Sequence, residues 1–255
     1  MPRFPELKPR RSGLEISDDE FYATFTTSAF GFRANFSDEA EQVATLAVVF
    51  DLGGFTKFCE QSSADVAVPG FLEKFLEWLI SKIREKVSGE REPQRTLINR
   101  YNLPYFVKFT GDGAIFLWNL ARLGEGRIPL LLQHMLEIVS EYNNHHFKRI
   151  KKFYPLTPAL LRCGIARGTC FPLGNRDDMV GACINIAARL QKLPGLTFAV
   201  RSLGIEIDAP LIANSVVLYK TIKIRGGNEE NIYLLKEEFH KMKTRDRKLY
   251  KAIYS

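Results

Sequence analysis

Apolar positions follow two rhythms along this chain. Residues 45–50, Thr-Leu-Ala-Val-Val-Phe, form a short β-type run suited to a buried strand, ending at Asp51 and followed by Leu52-Gly53-Gly54. The period then changes. Phe71, Leu72, Phe75, Leu76, Leu79, Ile80, Ile83 and Val87 recur at helical spacing with charges between them, and Ser88-Gly89 ends the pattern. A polar linker at 90–94 leads to two apolar runs, 105–108 and 114–118, which predict a hairpin turning through 109–113. Pro129 opens a second amphipathic helix through about Phe147. Residues 160–165 predict another strand, followed by glycines and a loop to Asp178. Residues 184–193 read as a helix, 216–224 and 231–235 as a closing pair of strands, and 236–251 as a charged helical tail. The order β-α-β-β-α-β predicts an α/β (α+β) chain with a ferredoxin-like core, extended by a further helix and strands. The expected organisation is an N-terminal extension at 1–44, one main domain at 45–235 and a tail at 236–255. The first part of the extension is proline-punctuated, at positions 2, 5 and 9.

Composition narrows this little. With 255 residues, 45% hydrophobic and 25% charged, the chain is ordinary globular material, which excludes collagen-like, low-complexity and disordered classes. No apolar run approaches the ~18 residues of a membrane span, and the first residues carry no apolar signal core. The four cysteines, at 59, 163, 170 and 183, form no CxxC, and the four histidines show no ligand spacing. A reducing cytoplasm is therefore expected. The net charge of +7 is compatible with a polyanionic partner such as a nucleotide, a nucleic acid or a membrane surface.

Two constellations could carry chemistry. Asp51 and Asp112 each end an apolar strand beside glycines, and in a β-α-β-β arrangement those strand ends are neighbours. Paired carboxylates on glycine-rich backbone hold hard divalent ions, with phosphate oxygens completing the shell. The plainer reading is two turn-capping aspartates. Asn185 and Arg189, four apart on one helical face, could together stabilise a charged oxygen; taken alone they read as a solvated face.

The residues carrying these features resemble the class III nucleotidyl cyclase catalytic domain. Val48-Val49-Phe50-Asp51-Leu52-Gly53-Gly54-Phe55-Thr56 matches that family's strand, metal aspartate and "GFT" turn. Val107-Lys108-Phe109-Thr110-Gly111-Asp112-Gly113 matches its "K-x-x-G-D" hairpin. Leu161-Arg162-Cys163-Gly164-Ile165 through Gly168, then Gly181-Ala182-Cys183-Ile184-Asn185-Ile186-Ala187-Ala188-Arg189-Leu190, matches its "RxGI…G" strand and "G-x-x-x-N-x-A-x-R-L" helix. The three motifs stand in family order over residues 45–235. The resemblance implies that Asp51 and Asp112, with the Leu52 carbonyl, hold two Mg2+ or Mn2+ ions per site. It implies that Asn185 orients a ribose, that Arg189 stabilises phosphate charge, and that Arg162 and Arg225 bind the triphosphate, with Lys223 the rival of Arg225. It also implies a homodimer with shared sites, metals from one subunit and the Asn/Arg pair from the other. No nucleic-acid partner and no membrane span are expected.

In the family, positions matching Lys108 and Asp178 read the base, and a Lys/Asp pair marks adenylate rather than guanylate cyclases. Lysine donates and aspartate accepts, a pattern that adenine, cytosine and uracil all satisfy. Bulk at Phe106 and Phe109 favours a smaller base, whereas Val180, where the family has tryptophan, opens space. The stand-alone size is similar to that of the pyrimidine cyclases of bacterial antiphage (Pycsar) systems. UTP is the favoured substrate and ATP the alternative. A non-catalytic nucleotide or nucleic-acid binder is the more remote reading, supported by the basic run at 148–152. Another two-metal enzyme, such as a polymerase palm or a diguanylate cyclase, ranks last, because the Asn/Arg helix has no role there.

Overall fold

The structure is a computed structural model and describes residues 42–88, 103–173, 178–207, 217–224 and 228–252. Arg225 and residues 1–41 of the N-terminal extension lie outside these residues. The chain divides into two compact units, one of residues 1–43 with 169–181, the other of residues 44–168 with 182–255.

The larger unit is built on β1 (Val43–Gly53), whose residues 45–50 are fully buried. Such a strand must be covered on both faces, which is why it reads as a continuous apolar run. A short helix α1 (Phe55–Cys59) leads into α2 (Ala64–Ser88). The hairpin follows as β2 (Phe106–Phe109) and β3 (Gly113–Asn119), then a short α3 (Leu120–Leu123), α4 (Ile128–Glu141), a π-helical turn at Tyr142–His146 and α5 (Phe147–Ile150). After these come β4 (Leu160–Leu173), β5 (Asp178–Val180), α6 (Ala182–Leu190), β6 (Phe198–Arg201), β7 (Val217–Lys223), β8 (Glu229–Leu235), α7 (Lys236–Lys241), α8 (Thr244–Arg247) and β9 (Tyr250–Ala252). The strand order is β2-β3-β1-β4-β6-β8-β7-β9. Its first four members stand in the ferredoxin-like order, so the expected core is present.

Strand alternation sorts the side chains of β1 and β3 onto two faces. Leu46, Val48, Phe50 and Leu52 pack with Ala114, Phe116 and Trp118 under α2 and α4, through Phe71, Phe75, Leu79, Leu132, Met135 and Ile138. Edge-on contacts such as Phe50–Phe116 at 5.9 Å and Phe75–Tyr142 at 5.8 Å knit this layer. A second apolar cluster gathers Leu190, Leu193, Ala199, Ile222, Ile232, Leu234, Met242 and Tyr250. The residues after 235 thus contribute side chains to a core.

Several elements differ from the sequence expectation. Helix α2 starts at Ala64, seven residues before the apolar periodicity sets in, because Ala67 and Val68 are only partly buried. The region after 165, expected as a loop, continues β4 to Leu173, and its outer residues Phe171–Leu173 pair with β5 inside the smaller unit. Two glycines of β4 are close-approach positions. A Cβ on Gly164 would lie 2.0 Å from the Ala187 carbonyl oxygen and 2.6 Å from the Gln191 nitrogen; one on Gly168 would lie 3.0 Å from Cys183 Cβ. Helix α6 therefore rests directly on the β4 backbone. The 236–251 segment is two short helices ending in β9, which adds to the sheet edge beside β7. Strand β6, four residues long, carries no pattern that distinguishes it from a loop.

Gly164→Ala should lower stability by about 3 kcal/mol, or roughly 6–12 °C in Tm, because two backbones would have to separate. Thermal unfolding measures this, and an unchanged Tm would mean that α6 does not sit on β4 this closely.

Candidate active site

The site forms where β1 ends. Asp51 pairs in register with Gly113, and a Cβ there would fall 1.9 Å from the Phe50 carbonyl oxygen. Only glycine lets the hairpin come this close. The Leu52 N–H donates to the Asp112 carbonyl at 2.8 Å and the Thr110 N–H to the Gly113 carbonyl at 3.0 Å, which ties the turn to the strand end. Gly111 makes the turn at φ 98° and Gly54 turns the chain into α1 at φ 91°, left-handed conformations that favour glycine.

These constraints bring the two carboxylates together within hydrogen-bonding reach. Burial, the Asp112 charge and its hydrogen bond push the Asp51 carboxyl up to about 6, while Lys192 and Arg162 pull it back down. Among the described residues no third metal-ligating side chain joins the pair. The donor set fits a hard divalent cation: two ionisable carboxylates that repel each other, with shell positions left for water and phosphate oxygens.

Arg162 crosses from β4. Its Nε stands 3.2 Å from where a Cβ on Gly53 would be, and that nitrogen is buried without a hydrogen-bond partner. The Arg162 charge acts on the Asp51 carboxylate. On α6, Asn185 and Arg189 are both exposed on one face. Lys108, on β2, pairs with Ile115 and so lies on the Asp51 face of the sheet; Phe106, two residues earlier, shares that face. Phe109, paired with Ala114, belongs to the opposite face and does not crowd Lys108 as the sequence led us to expect. Asp178 opens β5 in the smaller unit, where its carboxylate accepts the Met179 N–H at 2.9 Å.

Asp51, Leu52, Asp112 and Arg162 are thus gathered at one place, and Lys108 shares their sheet. One residue that sequence reasoning missed stands with them. Lys192 follows α6, and its charge acts on Asp51 of the same chain. The signal was present in its spacing, seven residues after Asn185 and three after Arg189.

No protein-family model matches the chain, and no curated protein matches it. Solved structures do. The adenylyl cyclase CyaB from P. aeruginosa aligns with a TM-score of 0.54 and 19% identity, covering 78% of this chain and 96% of that one. The guanylyl cyclase Cya2 aligns at 0.53 and 16%, covering 78% and 94%. The guanylate cyclase domain of RhGC from Catenaria anguillulae, in complex with GTP, aligns at 0.53 and 16%, covering 77% and 98%. The chain therefore has the fold of the class III nucleotidyl cyclase catalytic domain. No helix among the described residues is long and apolar enough to cross a membrane.

In metal-free protein, folded Asp51 holds a proton between about pH 6 and 3.8 that the unfolded chain releases. Its contribution to stability is therefore complete below 3.8 and lost as pH rises through about 6. In EDTA at about pH 8, Asp51→Asn should raise Tm by a few degrees, and the gain should shrink toward about pH 4. Mn2+ should raise the wild-type Tm at the higher pH and leave Asp51→Asn nearly unmoved. Equal Mn2+ stabilisation of the two proteins would remove Asp51 from the ion's shell.

Proposed function

We propose that this chain is a nucleotide cyclase, converting a nucleoside triphosphate into its 3′,5′-cyclic monophosphate and pyrophosphate. The observation that carries this reading is the convergence of Asp51, Asp112 and the unpartnered Arg162 nitrogen at one strand end, in this fold. Asp51, Asp112 and the Leu52 carbonyl would hold two Mg2+ or Mn2+ ions. Such ions, when bound, lower the pKa of the ribose 3′-hydroxyl and neutralise the triphosphate. The 3′-oxygen attacks the α-phosphorus, the bond to the β-phosphate bridging oxygen breaks, pyrophosphate leaves in line, and the 3′-hydroxyl proton passes to solvent. Arg162 and Arg225 grip the phosphates, Asn185 orients the ribose, and Arg189 stabilises charge on the α-phosphate and leaving group.

Exposure of Asn185 and Arg189 on a single chain supports a homodimer in which α6 of one subunit serves the carboxylate pair of the other. For the base we propose uracil, read by the Lys108 donor and the Asp178 acceptor, with Phe106 narrowing the Lys108 side. The placement of Phe109 on the opposite face favours ATP as the second reading, since it leaves more room beside Lys108. Cyclic UMP would serve as the second messenger of an antiphage system.

The deciding experiment incubates the protein with Mn2+ and each of the four ribonucleoside triphosphates, with products resolved by mass spectrometry. Cyclic UMP is expected; cyclic AMP would replace uracil by adenine, and no cyclic product would overturn the cyclase reading. Asp51→Ala and Asp112→Ala should each reduce turnover to background. Asn185→Ala or Arg189→Ala should lower kcat by about 10²–10³ with a smaller effect on KM. Equal mixing of Asp51→Ala and Arg189→Ala chains should restore about one quarter of wild-type activity, because half the dimers are mixed and each has one intact site. No recovery would mean that sites are not shared.

A further inference from the structure

The exposed stripe on α6 continues past the helix end. Asn185, Arg189 and Lys192 are exposed at spacings of four and three, and the Lys192 N–H donates to the Arg189 carbonyl at 3.1 Å, carrying the helical turn onward. By spacing alone the three would act together. The packing of α6 says otherwise for the third.

Gly164 is the pivot. The Gln191 nitrogen and the Ala187 carbonyl lie on it, so the last turn of α6 crosses β4 at this point. Arg162, two residues away along β4, is on the same face and reaches across to Gly53. Gly53 in turn shares a face of β1 with Asp51, and β1 and β4 are neighbours in the sheet. The end of α6, Arg162 and Asp51 of one chain therefore stand on one patch of one sheet face, with Lys192 immediately after Gln191. The charges on the Asp51 carboxylate agree, since Lys192 and Arg162 are its two cationic neighbours.

We infer that Lys192 is a triphosphate-binding residue contributed by the same subunit as Asp51 and Asp112, so that α6 divides its exposed stripe between two active sites. Lys192 and Arg162 of one chain hold the phosphates at the carboxylate pair, while Asn185 and Arg189 serve the partner subunit's pair. A lysine ammonium is a mobile point charge with three donors, suited to phosphate oxygens whose position shifts between substrate and leaving group. This inference rests on the shared-site cyclase reading and adds the subunit from which Lys192 acts.

Two measurements test it. Calorimetry on Lys192→Met should show binding of Mn2+ alone as tight as in wild type or tighter, because a cation beside the carboxylates has been removed. Binding of inorganic pyrophosphate in saturating Mn2+ should weaken about tenfold or more. Unchanged pyrophosphate affinity would overturn the inference, and this measurement needs no turnover. The second is chain mixing. Lys192→Met with Arg189→Ala should recover activity as the Asp51→Ala and Arg189→Ala mixture does, because each mixed dimer has one complete site. Lys192→Met with Asp51→Ala should show no recovery, because every site lacks one of the two. Recovery in that second mixture would place Lys192 with Asn185 and Arg189 and overturn the assignment. Failure of the Asp51→Ala and Arg189→Ala control would instead remove the shared-site reading underneath it.

Discussion

The arrangement depends on how closely three backbones approach one another around the end of β1. Gly113 lets the hairpin turn press on Phe50, and Gly164 lets the last turn of α6 rest on β4. Neither contact has room for a Cβ. Together they set the distance from Asp51 to Asp112 on one side and to the cationic end of α6 on the other. The cost is a pair of carboxylates held close in a half-buried place, where burial first and the Asp112 charge second raise the Asp51 pKa. Under the proposed function, Arg162 and Lys192 beside this pair suit a ligand carrying both charges, cations for the carboxylates and phosphates for the bases.

The apolar layer beneath serves this geometry by rigidity. Phe50 and Leu52 alternate with Asp51 along β1, so the side chains that anchor the strand under α2 and α4 also aim the carboxylate to the other face. The aromatic contacts running from Phe58 through Phe71 and Phe75 to Tyr142 hold α2 against that layer. Sites positioned by packed strands are more exact than sites on loops. Here the turn residues Thr110 and Asp112 are themselves pinned by backbone hydrogen bonds, to Gly113 of β3 and to Leu52 of β1.

Much of this was legible in the chain. The run from Thr45 to Phe50 announced a strand buried on both faces, and the hairpin was readable from its two apolar arms. The glycines beside the two aspartates marked turns. What misled was glycine elsewhere. Gly168 carries the same letter as a turn glycine but lies within a strand, and only the helix above it explains its lack of a side chain. The tail after residue 235 reads as charged, because a few buried side chains, Met242 and Tyr250 among them, are diluted by lysines and glutamates.

The sequence by itself determined the elements with strong period, the identity of the two aspartates, and the residue types able to meet a metal and a phosphate. These follow from local spacing and side-chain chemistry, which a linear reading contains. The tertiary structure alone decided which of them meet. Arg162 reaches Gly53 because β4 and β1 are neighbours, and Lys192 is delivered to Asp51 by a helix seated on Gly164. Those outcomes rest on strand order and contact distance between segments more than a hundred residues apart, quantities that no local pattern encodes.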